Sequence, residues 1–122
     1  SKQLSTLYLK KSVAALKVKN WAAVLESAEK SNTYLESGQA KKLIGLSSVQ
    51  LKKFDKAIAA LESYYAEDTN AKDKSSTLYN LATAYEGKGN NAKACGYYKQ
   101  LLNDATYKAA AEYKVKTQLK CN

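Results

Sequence analysis

Residues 75–105 read SSTLYNLATAYEGKGNNAKACGYYKQLLNDA, and their pattern is the clearest in the chain. Apolar side chains recur here at intervals of three and four residues, which places them on one side of a helix. They are Leu78, Leu81, Ala82 and Tyr85 in the first half, and Ala94, Tyr97, Tyr98, Leu101 and Leu102 in the second. Gly87 and Gly89 lie between the two runs, where glycine typically ends a helix and begins a tight turn. The stretch therefore predicts two helices joined by a short turn, with Asn103 and Asp104 closing the second.

A similar sequence begins the second helix of each of two earlier pairs. The three sequences are KNWAAVLESA at 19–28, KKFDKAIAAL at 52–61 and GNNAKACGYY at 89–98. Trp21, Phe54 and Asn91 then correspond, at separations of 33 and 37 residues. Self-similarity at this period predicts stacked helix-turn-helix units.

The rest of the chain also predicts helices. Proline is absent from all 122 residues, which favours helix throughout. Four helices are predicted before residue 75, near 4–18, 21–31, 40–51 and 54–65, with Asn20 as the cap of the second. The polar stretch 67–76 is the longest connection, and Asp73, Ser75 or Ser76 is expected to cap the fifth helix. A last helix is predicted over 106–120.

The third helix pair resembles the tetratricopeptide repeat (TPR) family. The family signature has Trp, Leu-Gly and Tyr in the first helix, then Ala and Phe in the second, within 34 residues. The residues at these positions are, in order, Leu78, Leu81-Ala82, Tyr85, Ala94 and Tyr98. The second pair keeps Ile44-Gly45, Phe54, Ala57 and Leu61, and the first keeps Tyr8, Ala15, Trp21 and Ala28.

Some positions depart from that signature. Lys11-Ser12 stand where Leu-Gly is expected in the first repeat. In the second repeat Lys41 replaces the Trp and Ser48 replaces the aromatic residue, and the closing proline is absent from all three.

The resemblance implies an all-α fold. We expect a right-handed α-solenoid of three TPR-like helix-turn-helix repeats plus a C-terminal capping helix, about seven helices in all. The repeats are expected at about 5–37, 38–74 and 75–105, with the capping helix at about 106–120, in one domain spanning 1–122. A capping helix covers the apolar face that the last repeat would otherwise expose.

In this family the first helix of each repeat lines a concave groove that binds a peptide. The resemblance therefore implies a partner-binding groove formed by Leu9, Val13, Lys17, Gln39, Lys42, Leu46, Gln50, Tyr79, Asn80, Thr83 and Glu86. Tyrosine and asparagine beside lysine suit a peptide backbone and an acidic group. Some family members clamp a C-terminal carboxylate with lysine and asparagine side chains, and only Lys42 and Asn80 stand at such positions, so no complete clamp is predicted.

The two cysteines, Cys95 and Cys121, allow two interpretations. They form one disulfide in an oxidising compartment or remain reduced thiols in the cytosol. If the last helix runs antiparallel to the sixth, Cys121 returns toward Cys95, and a bond would add roughly 3 kcal/mol of stability. Their spacing fits no zinc site.

Composition narrows the possible functions. The chain has no histidine, the commonest general base and metal ligand, so we predict no enzyme activity, no cofactor and no metal site. All 20 basic residues are lysine, against 11 acidic residues, which gives a net charge of +9. Without arginine to read bases, nucleic acid is not expected, and the charge suits an acidic protein or peptide. No stretch is apolar and long enough to span a membrane.

The predicted function is a non-enzymatic protein–protein interaction module that binds a peptide or partner domain through the concave groove. The alternative is an architectural or self-associating segment of a larger envelope or multidomain protein. The cysteine pair and the absence of an initiator methionine favour a periplasmic or otherwise extracytoplasmic location.

Overall fold

Seven α-helices and one π-helix make up the computed structural model, which describes residues 1–122. The α-helices are α1 (Lys2–Lys17), α2 (Trp21–Tyr34), α3 (Gly38–Gln50), α4 (Phe54–Glu67), α5 (Lys74–Lys88), α6 (Asn91–Lys99) and α7 (Lys108–Glu112). The terminal π-helix (Tyr113–Gln118) continues α7 directly. The all-α fold class predicted from the sequence is confirmed.

The helices pack in consecutive pairs. Helix α1 packs on α2, α3 lies against both α2 and α4, and α5 lies against both α4 and α6. The terminal π-helix packs on α6, and its Val115 belongs to the largest apolar cluster, together with residues of α3 to α6. Each new pair therefore covers the apolar side of the pair before it.

Small residues let the two helices of each pair approach closely. Ser12, Gly45 and Ala82 are buried at equivalent positions of α1, α3 and α5. A Cβ on Gly45 would overlap the Leu61 side chain of α4. The Ser12 hydroxyl donates to the carbonyl oxygen of Val24 at 2.8 Å. The serine that departs from the family signature thus fits the same close contact.

The first helix of each pair ends in the same way. Lys19, Lys52 and Gly89 adopt left-handed backbone conformations, with φ of 55°, 60° and 90°. The following backbone N–H donates to the carbonyl five residues earlier in each case, from Asn20 at 3.0 Å, Lys53 at 2.8 Å and Asn90 at 2.9 Å. This is a Schellman-type helix end, for which glycine is the preferred left-handed residue.

Asn20, Lys53 and Asn90, whose N–H groups make these bonds, are also the residues directly before α2, α4 and α6. The Asn20 Oδ1 accepts from the N–H of Ala23 and the Asn90 Oδ1 from that of Lys93, both at 3.2 Å. Lys53 has nearly the same backbone angles but makes no side-chain cap. The middle repeat therefore lacks both residues, glycine and asparagine, that stabilise this turn in the third.

We expect the double variant Lys52→Gly, Lys53→Asn to raise the free energy of unfolding by about 2 kcal/mol. A left-handed non-glycine residue costs about 1 kcal/mol, and an asparagine cap contributes about 1 kcal/mol. Urea unfolding followed by circular dichroism measures the gain. Lys52→Ala, Lys53→Ala is the matched control, because it removes the same two charges without providing a glycine or a cap. An unchanged urea midpoint in the double variant would contradict this account of the turn.

Helix ends differ from the prediction at several places. Helix α2 continues to Tyr34 instead of ending near residue 31. Gly89 ends α5 but Gly87 lies inside it, where a Cβ would overlap the Phe54 ring of α4. Helix α6 ends at Lys99 instead of Leu102, although tighter i→i−3 hydrogen bonds continue to residue 102. The predicted last helix begins at Lys108 and widens into a π-helix after Glu112.

A disulfide joins Cys95 of α6 to Cys121, which follows the terminal π-helix. Their Cα atoms are 6.4 Å apart. Cys95 is buried and Cys121 packs against the largest apolar cluster. The C-terminal segment is therefore attached to the last helix pair both covalently and by packing.

Candidate functional site

Eight of the eleven predicted groove residues line two pockets. The first, which we call the N-terminal pocket, lies between α1 and α3 and has a volume of about 420 Å³. Its lining residues are Thr6, Leu9, Lys10, Val13, Ala14, Lys17 and Gln39. The structure thus brings together four of the predicted residues, Leu9, Val13, Lys17 and Gln39.

Both charged residues that line the N-terminal pocket are lysines. Helix α1 contains four lysines and no acidic residue. Neither Lys10 nor Lys17 takes part in an ion pair, and Lys17 is exposed. Leu9 and Val13 are half-buried between them. The pocket therefore offers an apolar floor and two ammonium groups free to bind carboxylates.

The second pocket, the C-terminal pocket, has a volume of about 410 Å³. It is lined by Val49, Gln50, Lys52, Phe54, Tyr79, Thr83, Glu86, Gly87, Tyr98 and Lys114. It contains four other predicted residues, Gln50, Tyr79, Thr83 and Glu86. Lys114 is a lining residue that the sequence analysis missed, because it comes from the terminal π-helix and not from the first helix of a repeat.

Glu86 holds the terminal π-helix in place. Its carboxylate accepts hydrogen bonds from the Tyr98 hydroxyl at 2.8 Å, Lys114 Nζ at 3.0 Å and Gln118 Nε2 at 3.1 Å. The side chains of Glu86 and Lys114 are 20% and 21% exposed. Glu86 and Lys114 of the C-terminal pocket are thus already paired with each other, whereas Lys52, the third charged lining residue, takes part in no ion pair.

Tyr79 packs within a group of aromatic rings. Its ring stacks on Tyr107 at a centroid distance of 4.7 Å and meets Tyr98 edge-on at 6.0 Å. Tyr98 is completely buried. These contacts connect α5 to α6 and to the residues just before α7. Tyr79 therefore stabilises the third pair as well as lining the pocket.

Lys42, Leu46 and Asn80 line neither pocket. The Lys42 Nζ lies 2.5 Å from the Asp73 carboxylate, which also accepts from the Tyr64 hydroxyl at 2.8 Å. Burial would raise the pKa of Asp73, but the hydrogen bonds from Lys42 and Tyr64 outweigh it and lower that pKa. Asp73 precedes α5 without capping it, so its carboxylate joins α3, α4 and α5 instead.

The buried tyrosines predict that the folded protein becomes less stable at alkaline pH. Burial, followed by the hydrogen bond to Glu62, raises the pKa of Tyr85 to about 12, and burial also raises the pKa of Tyr98. Above pH 10 the unfolded chain loses these protons while the folded chain keeps them. The free energy of unfolding should therefore be unaffected below about pH 10 and fall between about pH 10 and 12, by up to about 1.4 kcal/mol per pH unit for each tyrosine.

Urea unfolding at several pH values, with tyrosinate absorbance recorded in parallel, measures this effect. Tyr85→Phe should make the free energy of unfolding fall less steeply with pH, by the contribution of one tyrosine. Complete titration of all ten tyrosines near pH 10 in the folded protein would contradict the prediction.

The stacked pairs define a helical-repeat protein, and comparison with known families identifies the repeat in the third pair. The family model for the tetratricopeptide repeat matches residues 76–105. This match lies in the third pair, so the resemblance predicted from the sequence is confirmed. Comparison with curated proteins finds no match. The repeat indicates a protein–protein interaction module in general, of a family that is typically a non-enzymatic scaffold. None of the helices combines the length and apolarity needed to cross a membrane.

Proposed function

We propose that the chain binds a short peptide segment of a partner protein, with the N-terminal pocket as the centre of the site. The segment carries an apolar side chain flanked by acidic residues. No catalytic step is involved, and the module works by holding its partner.

The observation that carries this proposal is the contrast between the two pockets. In the N-terminal pocket Lys10 and Lys17 have no carboxylate partner. In the C-terminal pocket the carboxylate of Glu86 is occupied by Tyr98, Lys114 and Gln118. The N-terminal pocket thus offers two lysines for new charge-assisted hydrogen bonds without breaking existing ones, and the C-terminal pocket offers one, Lys52. Lys42, bound to Asp73, is unsuitable for the same reason.

The binding surface is preformed. Helices α1 and α3 are held by α2, and the fully buried Ser12 hydroxyl and Val24 carbonyl join α1 to α2. A rigid surface loses little conformational entropy on binding, so the cost of ordering falls mainly on the peptide. Burial of one apolar side chain against Leu9 and Val13 supplies affinity, and the two lysines supply preference for acidic sequences.

Selection of random 12-residue peptides displayed on phage, with the full chain as bait, tests the proposal. We expect enrichment of peptides with carboxylates on both sides of a large apolar residue. The selected peptides, synthesised and titrated by fluorescence anisotropy, should bind about tenfold or more weakly to Val13→Asp and to Lys17→Glu. The matched control is Lys116→Glu, which makes the same charge change on the terminal π-helix.

Circular dichroism and urea unfolding establish that each variant is folded. Failure to enrich any sequence would overturn the proposal. Equal loss of affinity in Lys17→Glu and Lys116→Glu would also overturn it, because net charge and not the pocket would then govern binding.

A further inference from the structure

The outer face of α1 carries exposed apolar side chains. This end face consists of Leu4, Leu7, Lys11, Ala14 and Val18, the last directly after the helix. Leu4, Leu7 and Val18 are 39%, 47% and 75% exposed. The end face lies on a different side of α1 from Ser5 and Ser12, the buried residues of this helix. Ala14, at its edge, also borders the N-terminal pocket.

The middle of the equivalent face is buried in both α3 and α5, whereas the equivalents of Val18 are Leu51, half-buried, and Lys88, exposed. The repeat offsets relate Leu7, Lys11 and Ala14 of the end face to Ala40, Ile44 and Ser47 of α3, and to Thr77, Leu81 and Ala84 of α5. None of these six equivalents is more than 7% exposed. The same surface of the repeat is thus covered twice within the chain and open once.

A helix covers the two buried copies. Ile44 of α3 packs in one cluster with Val24 and Leu25 of α2. Leu81 of α5 packs in another with Ala57 and Ile58 of α4. In both cases the covering element is the second helix of the preceding pair. The end face of α1 therefore corresponds to a surface that, in α3 and α5, packs against an α-helix.

The positive charge of Lys11 determines which side chains a helix covering the end face needs. Lys11 stands where Ile44 and Leu81 are buried, so a covering helix must bring a carboxylate to it. Helix α4 shows that carboxylates fit this interface, since Glu62 accepts from Tyr85 at 2.7 Å and Asp55 pairs with Lys88 at 2.5 Å, both on α5. Tyr85 is one helical turn from Leu81, so a residue placed like Glu62 comes within reach of Lys11.

A second copy of the chain does not meet this requirement. Two end faces in contact would bring the Lys11 ammonium groups together on a helix without acidic residues. The opposite end of the array is covered by the terminal π-helix, where Val115 is buried and Cys121 is bonded to Cys95. Head-to-tail stacking of copies is therefore blocked.

We infer that the end face binds an acidic amphipathic α-helix of a partner protein. The helix packs an apolar stripe on Leu7 and Val18 and pairs a central carboxylate with Lys11. This site lies beside the N-terminal pocket on a different side of α1 and does not depend on peptide binding in that pocket.

A stapled peptide with the sequence of α4 provides the probe. It comprises residues 54–67 with blocked ends and a hydrocarbon staple joining positions 56 and 60. Both positions face away from α5, since Lys56 pairs with Glu29 of α2 and Ala60 packs on the α2–α3 cluster. The staple keeps the peptide helical in solution, which circular dichroism verifies. The matched probe carries Glu62→Lys.

Fluorescence anisotropy with the full chain is expected to give binding of the acidic peptide and about tenfold weaker binding of the Glu62→Lys peptide. The Lys11→Glu protein should reverse this preference. Leu7→Asp should abolish binding of both peptides, while Lys116→Glu on the terminal π-helix should leave it unchanged. Leu7 and Lys11 are exposed, so these variants keep the fold.

Absence of binding by the helical probe overturns the inference, as does equal affinity for the two peptides or an affinity insensitive to Leu7→Asp. A mass that doubles with concentration in sedimentation equilibrium and becomes monomeric in Leu7→Asp would overturn it in favour of a second copy.

Discussion

Replacing Cys95 and Cys121 by alanine is expected to lower the free energy of unfolding by between about 3 and 4 kcal/mol. The disulfide closes a loop with a sequence separation of 26, and this constraint on the unfolded chain is lost in the variant. Alanine is chosen because Cys95 is 4% exposed and a polar replacement there would add a desolvation cost. Urea unfolding of the variant and the oxidised wild type measures the difference.

Reduction of the wild type should produce the same loss without any change of sequence. Hydrogen exchange then locates the effect: amides of α7 and the terminal π-helix should exchange faster, while those of α1 and α2 remain protected, because α1 and α2 make no contact with the bridge. Identical urea midpoints for oxidised and reduced protein would show that the packing of Val115 and the hydrogen bonds to Glu86 hold the C-terminal segment without the bridge.

The helix pairs could be predicted because their signals are local and occur three times. Asn20 and Asn90 are followed by helical periodicity, and both cap the helices predicted after them. The small residues at Gly45 and Ala82 mark the close contact within a pair. Even at Lys52, where no glycine indicates a turn, the position within the repeat predicts where the helix ends.

The partners of long charged side chains could not be predicted in this way. The position of Lys42 in the second repeat predicts that its side chain faces a ligand. Its actual partner, Asp73, comes from a different helix pair, and the distance between them depends on how the pairs stack. The same limit applies to Glu86, whose three donors lie 12, 28 and 32 residues away.

The C-terminal segment shows a third limit. Apolar residues four apart from Tyr107 to Leu119 predict a continuous α-helix. The structure has an α-helix of five residues followed by six residues of π-helix. Within this segment Lys114 and Gln118 both reach Glu86, and Cys121 bonds to Cys95. These contacts are tertiary, and periodicity carries no information about them.

Replacing Glu86 by alanine is expected to lower the free energy of unfolding by about 3 kcal/mol. The loss is large because the carboxylate is mostly buried and its removal leaves Lys114 without a charged partner and the Tyr98 hydroxyl without an acceptor. The Lys114 ammonium also lies 5.9 Å from the centroid of the Tyr98 ring, a contact that does not replace a carboxylate. Urea unfolding measures the loss.

Two further variants separate a structural role of Glu86 from a role in binding. Glu86→Gln keeps an acceptor and should lose less than the alanine variant. Glu26→Ala is the matched surface control, since its only ion pair, with Lys30, is exposed and should contribute less than about 0.5 kcal/mol. If Glu86→Ala were no less stable than Glu26→Ala, Glu86 would be free to contact a ligand. A loss near 3 kcal/mol instead identifies Glu86 as the attachment point of the terminal π-helix.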